Sequence, residues 1–372
     1  MASSSFRRVV IDDTDSLFQY GASWSVESSA ARDATVNSGP AFDQTLHRTA
    51  ANTSLTVNFS GSDFMVSSSV TPILVNDVVQ KFPEWECIVD GNSLGVMSID
   101  KGITQPQNNL GICSSVLGDG PHELVLKVTT NAISPFWIDA IQYTPSANAD
   151  LSNTTFKVYN SDPNIQFSNN DFATGTYGVK LTQTTGATTT FNFVGKSLTW
   201  VGYIFAGYAN VSSSATYSID NAPSVSFALP TSGVSFGNSI FFKTPELSLG
   251  PHTLVVTHQG NNKTMPLVLD YFFVSNTTAA TGAAPTTAST TSGTSTTGSS
   301  TTGIGSDTTG SSITSFRSHK NNTGAIIGGV IGSVAVILFA VLAFFLIKRR
   351  SGSGSKGPPM KEYRDYEQDG AN

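Results

Sequence analysis

Apolar and polar residues alternate in short runs along most of the chain. Leu55, Val57 and Phe59 are interleaved with Thr56, Asn58 and Ser60, and Phe191 and Phe193 flank Asn192 in the same way. A period of two belongs to a strand with one buried face. Gly118-Asp-Gly-Pro121 and Leu249-Gly-Pro251 supply turn chemistry just before the next apolar run. No window before residue 277 combines a helical period with caps. Many short strands separated by Gly, Pro, Asn and Ser predict an antiparallel β-sandwich.

The pattern comes twice. Ile11-Asp-Asp-Thr-Asp-Ser-Leu-Phe-Gln-Tyr20 answers to Val158-Tyr-Asn-Ser-Asp-Pro-Asn-Ile-Gln-Phe167. Ser54-Leu-Thr-Val-Asn-Phe-Ser-Gly61 answers to Thr188-Thr-Thr-Phe-Asn-Phe-Val-Gly195, and Cys87-Ile-Val-Asp90 to Tyr217-Ser-Ile-Asp220. Gly120-Pro-His-Glu-Leu-Val-Leu126 answers to Gly250-Pro-His-Thr-Leu-Val-Val256, and Trp137-Ile-Asp-Ala-Ile-Gln-Tyr143 to Val268-Leu-Asp-Tyr-Phe-Phe-Val274. Blocks repeated in one order mark an internal duplication. They predict two homologous domains, 6–148 and 152–276, each ending in a central strand.

These blocks resemble a tandem domain of fungal, especially basidiomycete, surface proteins. The residues that carry the likeness are IDDTD with Gln19-Tyr20 at the start, LHRTA and VNFSG after it, GPHELVLKV, and FWIDAIQY at the end. The domain is similar to the galactose-binding-like jelly roll shared by many carbohydrate-binding modules. The resemblance implies an all-β ectodomain of two tandem antiparallel jelly-roll β-sandwiches. In the second copy Tyr159-Asn-Ser-Asp162 stands in place of the acidic run.

Gly324 to Ile347 is apolar and carries no charge. A helix of that length measures about 36 Å, enough to cross a hydrocarbon core of about 30 Å. Lys348, Arg349 and Arg350 follow at once, against only Arg317 and Lys320 just before it. The positive-inside bias therefore predicts extracellular N-terminal domains, a single transmembrane helix at 324–347, and a cytoplasmic tail at 348–372. Gly324, Gly328 and Gly332 share one helix face, the pattern through which two such helices dimerise; frequent Gly in membrane helices is the plainer explanation. Residues 277–323, mostly Thr, Ser, Gly and Ala at first, have too little apolar area to fold and read as a disordered, O-glycosylated stalk. Stalk, span and basic stop resemble the membrane modules of fungal wall-stress sensors. Met1 to Gln19 has no apolar stretch fit for a signal peptide, so the expectation is a true start upstream of Met1.

Composition narrows the chemistry. Charged residues make up 12% of the chain, with a net charge of −6, which leaves nothing to neutralise a run of phosphates and argues against nucleic acid. Cys87 and Cys113, the two cysteines, form either a disulfide or a pair of buried thiols; an oxidising compartment favours the disulfide. Asn52, Asn58, Asn153, Asn210, Asn262 and Asn276 are N-glycosylation acceptors by sequence, and Asn321 lies too near the expected bilayer. No cofactor is expected. Asp12, Asp13, Asp15 and Asp139, with Asp162 and Asp270 as their counterparts, could offer oxygen ligands to calcium, but their spacing better suits the closing of turns. His122 and His252 follow Gly-Pro in both copies, which points to a structural bond to a loop carbonyl. No catalytic residues are assigned, because no G-x-S-x-G elbow or similar context occurs.

Sugars stack on aromatic rings, so rings near loops are the binding candidates. Trp24 and Trp85 are selected on that ground, Tyr203 is available, and Trp137 and Trp200 fall in strand blocks that suit the core. The sequence thus predicts a non-catalytic surface glycoprotein of the plasma membrane. Its domains bind or sense wall polysaccharide or a glycoprotein. A structural or adhesive protein without a ligand, and a surface glycoside hydrolase, are the alternatives.

Overall fold

The computed structural model describes residues 7–276, Asn37 and Asn169 excepted. The stalk, span, glycine stripe and tail expected beyond them lie outside the described residues. Among the described residues no helix is long and apolar enough to cross a membrane, and the one α-helix, Ala30–Asp33, is a single turn. The rest is antiparallel β-structure.

The first half has two layers. One joins Arg7–Asp12, Phe136–Pro145, the 61–70 part of Thr53–Val70 and the 107–116 part of Gln107–Thr129. The other joins Phe18–Tyr20, the 53–60 and 120–129 parts of the same two long strands, Glu84–Val89 and Asn92–Ser98. The long strands pass from one layer to the other, and their register shifts between Val116 and Gly120 at the crossing. Both layers face one apolar cluster that includes Val9, Ile11, Ile138 and Phe64 from the first layer and Leu55, Val57, Leu124 and Leu126 from the second. Each such side chain, once buried, contributes roughly 1.5–3 kcal/mol.

The second half follows the same path with its long strands broken in two. Phe236–Lys243, Ser197–Ile204, Tyr271–Ser275 and Thr155–Tyr159 form one layer. Ile165–Phe167, Thr188–Gly195, Gly250–His258, Ser213–Ile219 and Val225–Leu229 form the other. A second cluster around Trp200, Phe191, Phe272 and Leu254 lies between them. Equivalent positions pair alike: Ile11 with Ile141 and Val158 with Phe272, Val9 with Tyr143 and Phe156 with Val274.

The copies meet through their first strands. Arg7–Asp12 pairs on its other edge with Thr155–Tyr159, antiparallel, so one sheet runs unbroken through both halves. Val9 and Phe156, which occupy equivalent places in the repeat, are partners in this ladder. A pair that maps onto itself when the copies are exchanged lies on a local two-fold axis. Across this junction Arg7 Nε and Nη2 donate to Asp162 at 2.6 and 3.2 Å, Asn238 Nδ2 donates to the Ser38 carbonyl at 2.8 Å, and the Phe42 ring lies 4.8 Å from Phe273.

Cys87 and Cys113 are bonded in a disulfide that links Glu84–Val89 to Gln107–Thr129 inside the first cluster. With a sequence separation of 26, it restricts the unfolded chain enough to stabilise the fold by about 3 kcal/mol. Reduction, or Cys87→Ser with Cys113→Ser, is expected to lower the unfolding temperature in calorimetry. The second copy has Tyr217 in place of Cys87, and an unchanged scan would show that the bond adds nothing.

Candidate functional site

Each copy carries the same clasp. His122 Nδ1 donates to Asp90 Oδ2 at 2.7 Å and Nε2 to the Gly118 carbonyl at 2.8 Å. His252 repeats this with Asp220 Oδ2 at 2.6 Å and the Ser248 carbonyl at 2.8 Å. The loop carbonyl expected for both histidines is therefore present. Both acceptors are satisfied when both ring nitrogens carry hydrogen, so the clasp favours the imidazolium. Burial pulls His252 down, but Asp220 and the Ser248 carbonyl outweigh it and leave it raised; Asp90 and the Gly118 carbonyl do the same for His122. The His252 ion and the Thr253 amide in turn hold Asp220 below the usual carboxylate range.

Beside each clasp the surface is hollow. The hollow of the first copy, about 590 Å³, is lined by Asn58, Phe59, His122, Glu123 and Asp150 among others. That of the second, about 410 Å³, is lined by Asn192, Phe193, His252, Thr253, Asn164 and, from the first copy, Arg7. Asn58 and Asn192, Phe59 and Phe193, and His122 and His252 are equivalent residues of the repeat.

A buried acidic group sits where the first and last strands of copy one meet. Asp13 N–H donates to the Asp139 carbonyl at 2.9 Å. Asp13 is fully buried; its Oδ2 lies 2.5 Å from His47 Nδ1 and its Oδ1 accepts from Thr45 Oγ1 at 2.9 Å. Tyr20 stacks on His47 at 4.0 Å and donates to the Asp13 carbonyl at 2.6 Å. Burial, opposed by Thr14 and reinforced by Asp13, pushes Asp12 up to about 7. Burial likewise pushes Asp13 up to about 7, against the pull of the Thr45 hydroxyl, and holds Asp139 well above its usual range. His47 is lowered by burial.

His47 was not singled out in the sequence, because a lone His in a strand has no distinguishing spacing. The His47 ring is fixed through Nδ1 to Asp13 and by its stacking on Tyr20. Asp12, Asp15 and Asp162 close turns, and Asp139 ties down the distant Phe42 amide. Asp12 accepts from Thr14 N–H at 3.0 Å, Asp15 from Leu17 N–H at 2.9 Å, Asp162 from Asn164 N–H at 2.9 Å, and Asp139 from Phe42 N–H at 2.9 Å. Among the described residues no three His, Cys, Asp or Glu side chains are placed to hold a metal ion.

Of the tryptophans selected from sequence, Trp85 is buried and Trp24 is partly buried. Trp85 is 4% exposed, lies in Glu84–Val89 rather than a loop, and donates Nε1 to the Ile112 carbonyl. Trp24 is half-buried between Tyr20 and Phe136, with Nε1 on the Ser54 carbonyl. Both pack, because each indole N–H reaches a backbone carbonyl that would otherwise lose its partner. Trp137 and Trp200 are core residues, as their strand positions predict.

Among the described residues two aromatic rings are exposed, Phe82 at 40% and, more openly, Tyr177. It is 63% exposed and held at φ +63 in the turn Thr176–Gly178, a conformation that bulky residues rarely adopt. Tyr203 lies behind it at 5.3 Å, Phe205 behind Tyr203 at 4.4 Å, and Tyr208 beyond at 5.9 Å. The ring planes are tilted by 36°, 35° and 58° along this series, and Tyr177 is its solvent-exposed member. The equivalent turn of the first copy holds Asp43 at φ +45. Lys180, whose Nζ donates to Thr174 Oγ1 at 2.7 Å, and Asn160, whose Nδ2 donates to the Gly178 carbonyl at 3.1 Å, are nearby polar groups.

Of the sequon residues, Asn52, Asn58, Asn153, Asn210 and Asn262 are exposed. Asn276 differs: it is half-buried and its Nδ2, the atom a glycan would take, donates to the Leu151 carbonyl at 3.1 Å.

No family model and no curated protein matches the chain. Among solved structures it is similar to a family two carbohydrate esterase from Cellvibrio japonicus, at 21% identity and a TM-score of 0.26, over 32% of this chain and 33% of that one. It is also similar to the N-terminal CBM22-1–CBM22-2 tandem of Paenibacillus barcinonensis Xyn10C, at 9% identity and a TM-score of 0.25, over 73% and 98%. A third is the plant receptor-like kinase ANX2, at 10% identity and a TM-score of 0.23, over 72% and 93%. The chain spans about a third of the esterase it matches. At these scores the likeness carries no argument about activity or ligand.

Proposed function

We propose that this chain is a non-catalytic, glycan-binding surface glycoprotein. In this reading two jelly-roll domains of the galactose-binding-like type stand on a Ser/Thr-rich stalk outside a fungal plasma membrane, on one transmembrane helix. The observation that carries the binding role is Tyr177, a bulky ring kept in a left-handed turn, propped from behind by Tyr203 and open in front. An exposed aromatic face flanked by polar groups is what a sugar ring needs, since its C–H face stacks while its hydroxyls meet donors and acceptors. Backbone strain at an exposed surface residue favours such a use.

The test is a glycan array with the full-length chain, repeated with Tyr177→Ala and Tyr177→Phe. Loss of one stacked ring is expected to weaken retention about three- to tenfold in the Ala variant and to leave the Phe variant near wild type. No retention of any glycan, or retention indifferent to Tyr177→Ala, would overturn the reading.

A further inference from the structure

The hollows beside the two His–Asp clasps have diverged in charge. In the first copy Glu123 and Asp150 lie on the rim and Asn58 belongs to a sequon. In the second, Thr253 replaces Glu123, Val194 follows Phe193 so that Asn192 has no sequon, and Arg7 of the other copy closes the rim. Asp162, which is 3% exposed, holds the Arg7 guanidinium in place through Nε and Nη2. Thr253 Oγ1 donates to Asn192 Oδ1 at 2.9 Å, which fixes that amide with its NH2 as the end left for a ligand. His252 uses both ring nitrogens on Asp220 and Ser248, so it contributes positive charge rather than a hydrogen bond.

We infer that the hollow formed by Arg7, Asn164, Asn192, His252 and Thr253 is a second subsite, for a sugar ring that carries a carboxylate. This rests on the glycan-binding reading above. A guanidinium and an amide NH2 suit a carboxylate, the imidazolium adds to the attraction, and Asn164 and Thr253 suit the hydroxyls of the same ring. Pro251 and Val194 supply an apolar floor for its C–H face. The first hollow, with two carboxylates in place of Arg7 and Thr253, repels the same ligand. The subsite also depends on the first-strand pairing, because Arg7 and Asn192 belong to different copies.

The experiment is titration of the full-length chain with galacturonic- and glucuronic-acid oligosaccharides, and with their neutral galactose and glucose counterparts, at low salt. The acidic series is expected to bind more tightly than the neutral one, and Asn192→Asp is expected to weaken it at least about tenfold by placing a negative charge on the rim. Arg7→Gln should act in the same direction, and Asn58→Gln, in the equivalent hollow, should leave the acidic series unaffected. If neutral oligosaccharides bind in a Tyr177-dependent way while acidic ones do not, the subsite is wrong and the function above stands. Acidic binding indifferent to Asn192→Asp also overturns the subsite. If no oligosaccharide of these series binds, the subsite is wrong, and the glycan array alone decides the function above.

Discussion

Raising the pH from about 5 to about 8 is expected to lower the unfolding temperature of the first sandwich by several degrees. Asp12 and Asp13 are pushed from 3.8 up to about 7 by burial. A carboxyl raised on folding favours the folded state below its unfolded pKa, and that contribution is lost as the pH climbs through the folded value. The window is therefore about pH 4 to 7, with the more stable side acidic. For Asp13, which is fully buried, the effect is on the order of 2–4 kcal/mol. The raised histidines of the clasps act in the same sense, because their imidazolium bonds are lost as they deprotonate. Calorimetry across this range measures the effect, and Asp13→Asn is expected to flatten it while leaving Thr45 and His47 a polar partner. Should that variant fail to fold, Asp12→Asn gives the same reading at a less buried position. A stability that rises with pH would refute the argument. Recovery of the alkaline loss by millimolar calcium would show that the carboxylates hold a cation rather than a proton.

Val9→Pro is expected to cost about 3 kcal/mol or more and to split unfolding into two separate transitions. Val9 is 1% exposed, sits between Phe136–Pro145 and Thr155–Tyr159, and occupies the centre of the junction. Proline removes its amide from the ladder and crowds the neighbouring strand, whichever edge that amide serves. The loss falls on the first cluster and on the coupling between copies, while the second cluster keeps all its residues. A single transition at the original temperature would mean that the shared sheet does not bind the copies together.

The duplication was legible because its blocks are packing motifs. Asp90 and Asp220 take the same clasp role in both copies, and the Gly-Pro-His turns lead to the same loop carbonyl. The meeting of the first and last strands was also legible, since Asp13 and Asp139 share a backbone bond. Other features left no trace in the pattern. Trp85 is selected as a ring near a loop, yet its alternation with Cys87 and Val89 puts it in the core phase of a strand. Tyr177 stands alone in a polar turn with no period, and its counterpart is an aspartate, so comparing the copies could not reveal it. Pairing between first strands was beyond reach, because an edge becomes available only after each sandwich has formed.

The axis through Val9 and Phe156 has a directional consequence. Exchange of the copies reverses the strands, so equivalent surfaces on the two halves point opposite ways. A polysaccharide has a head and a tail, and one strand laid over both halves would meet them in opposite senses.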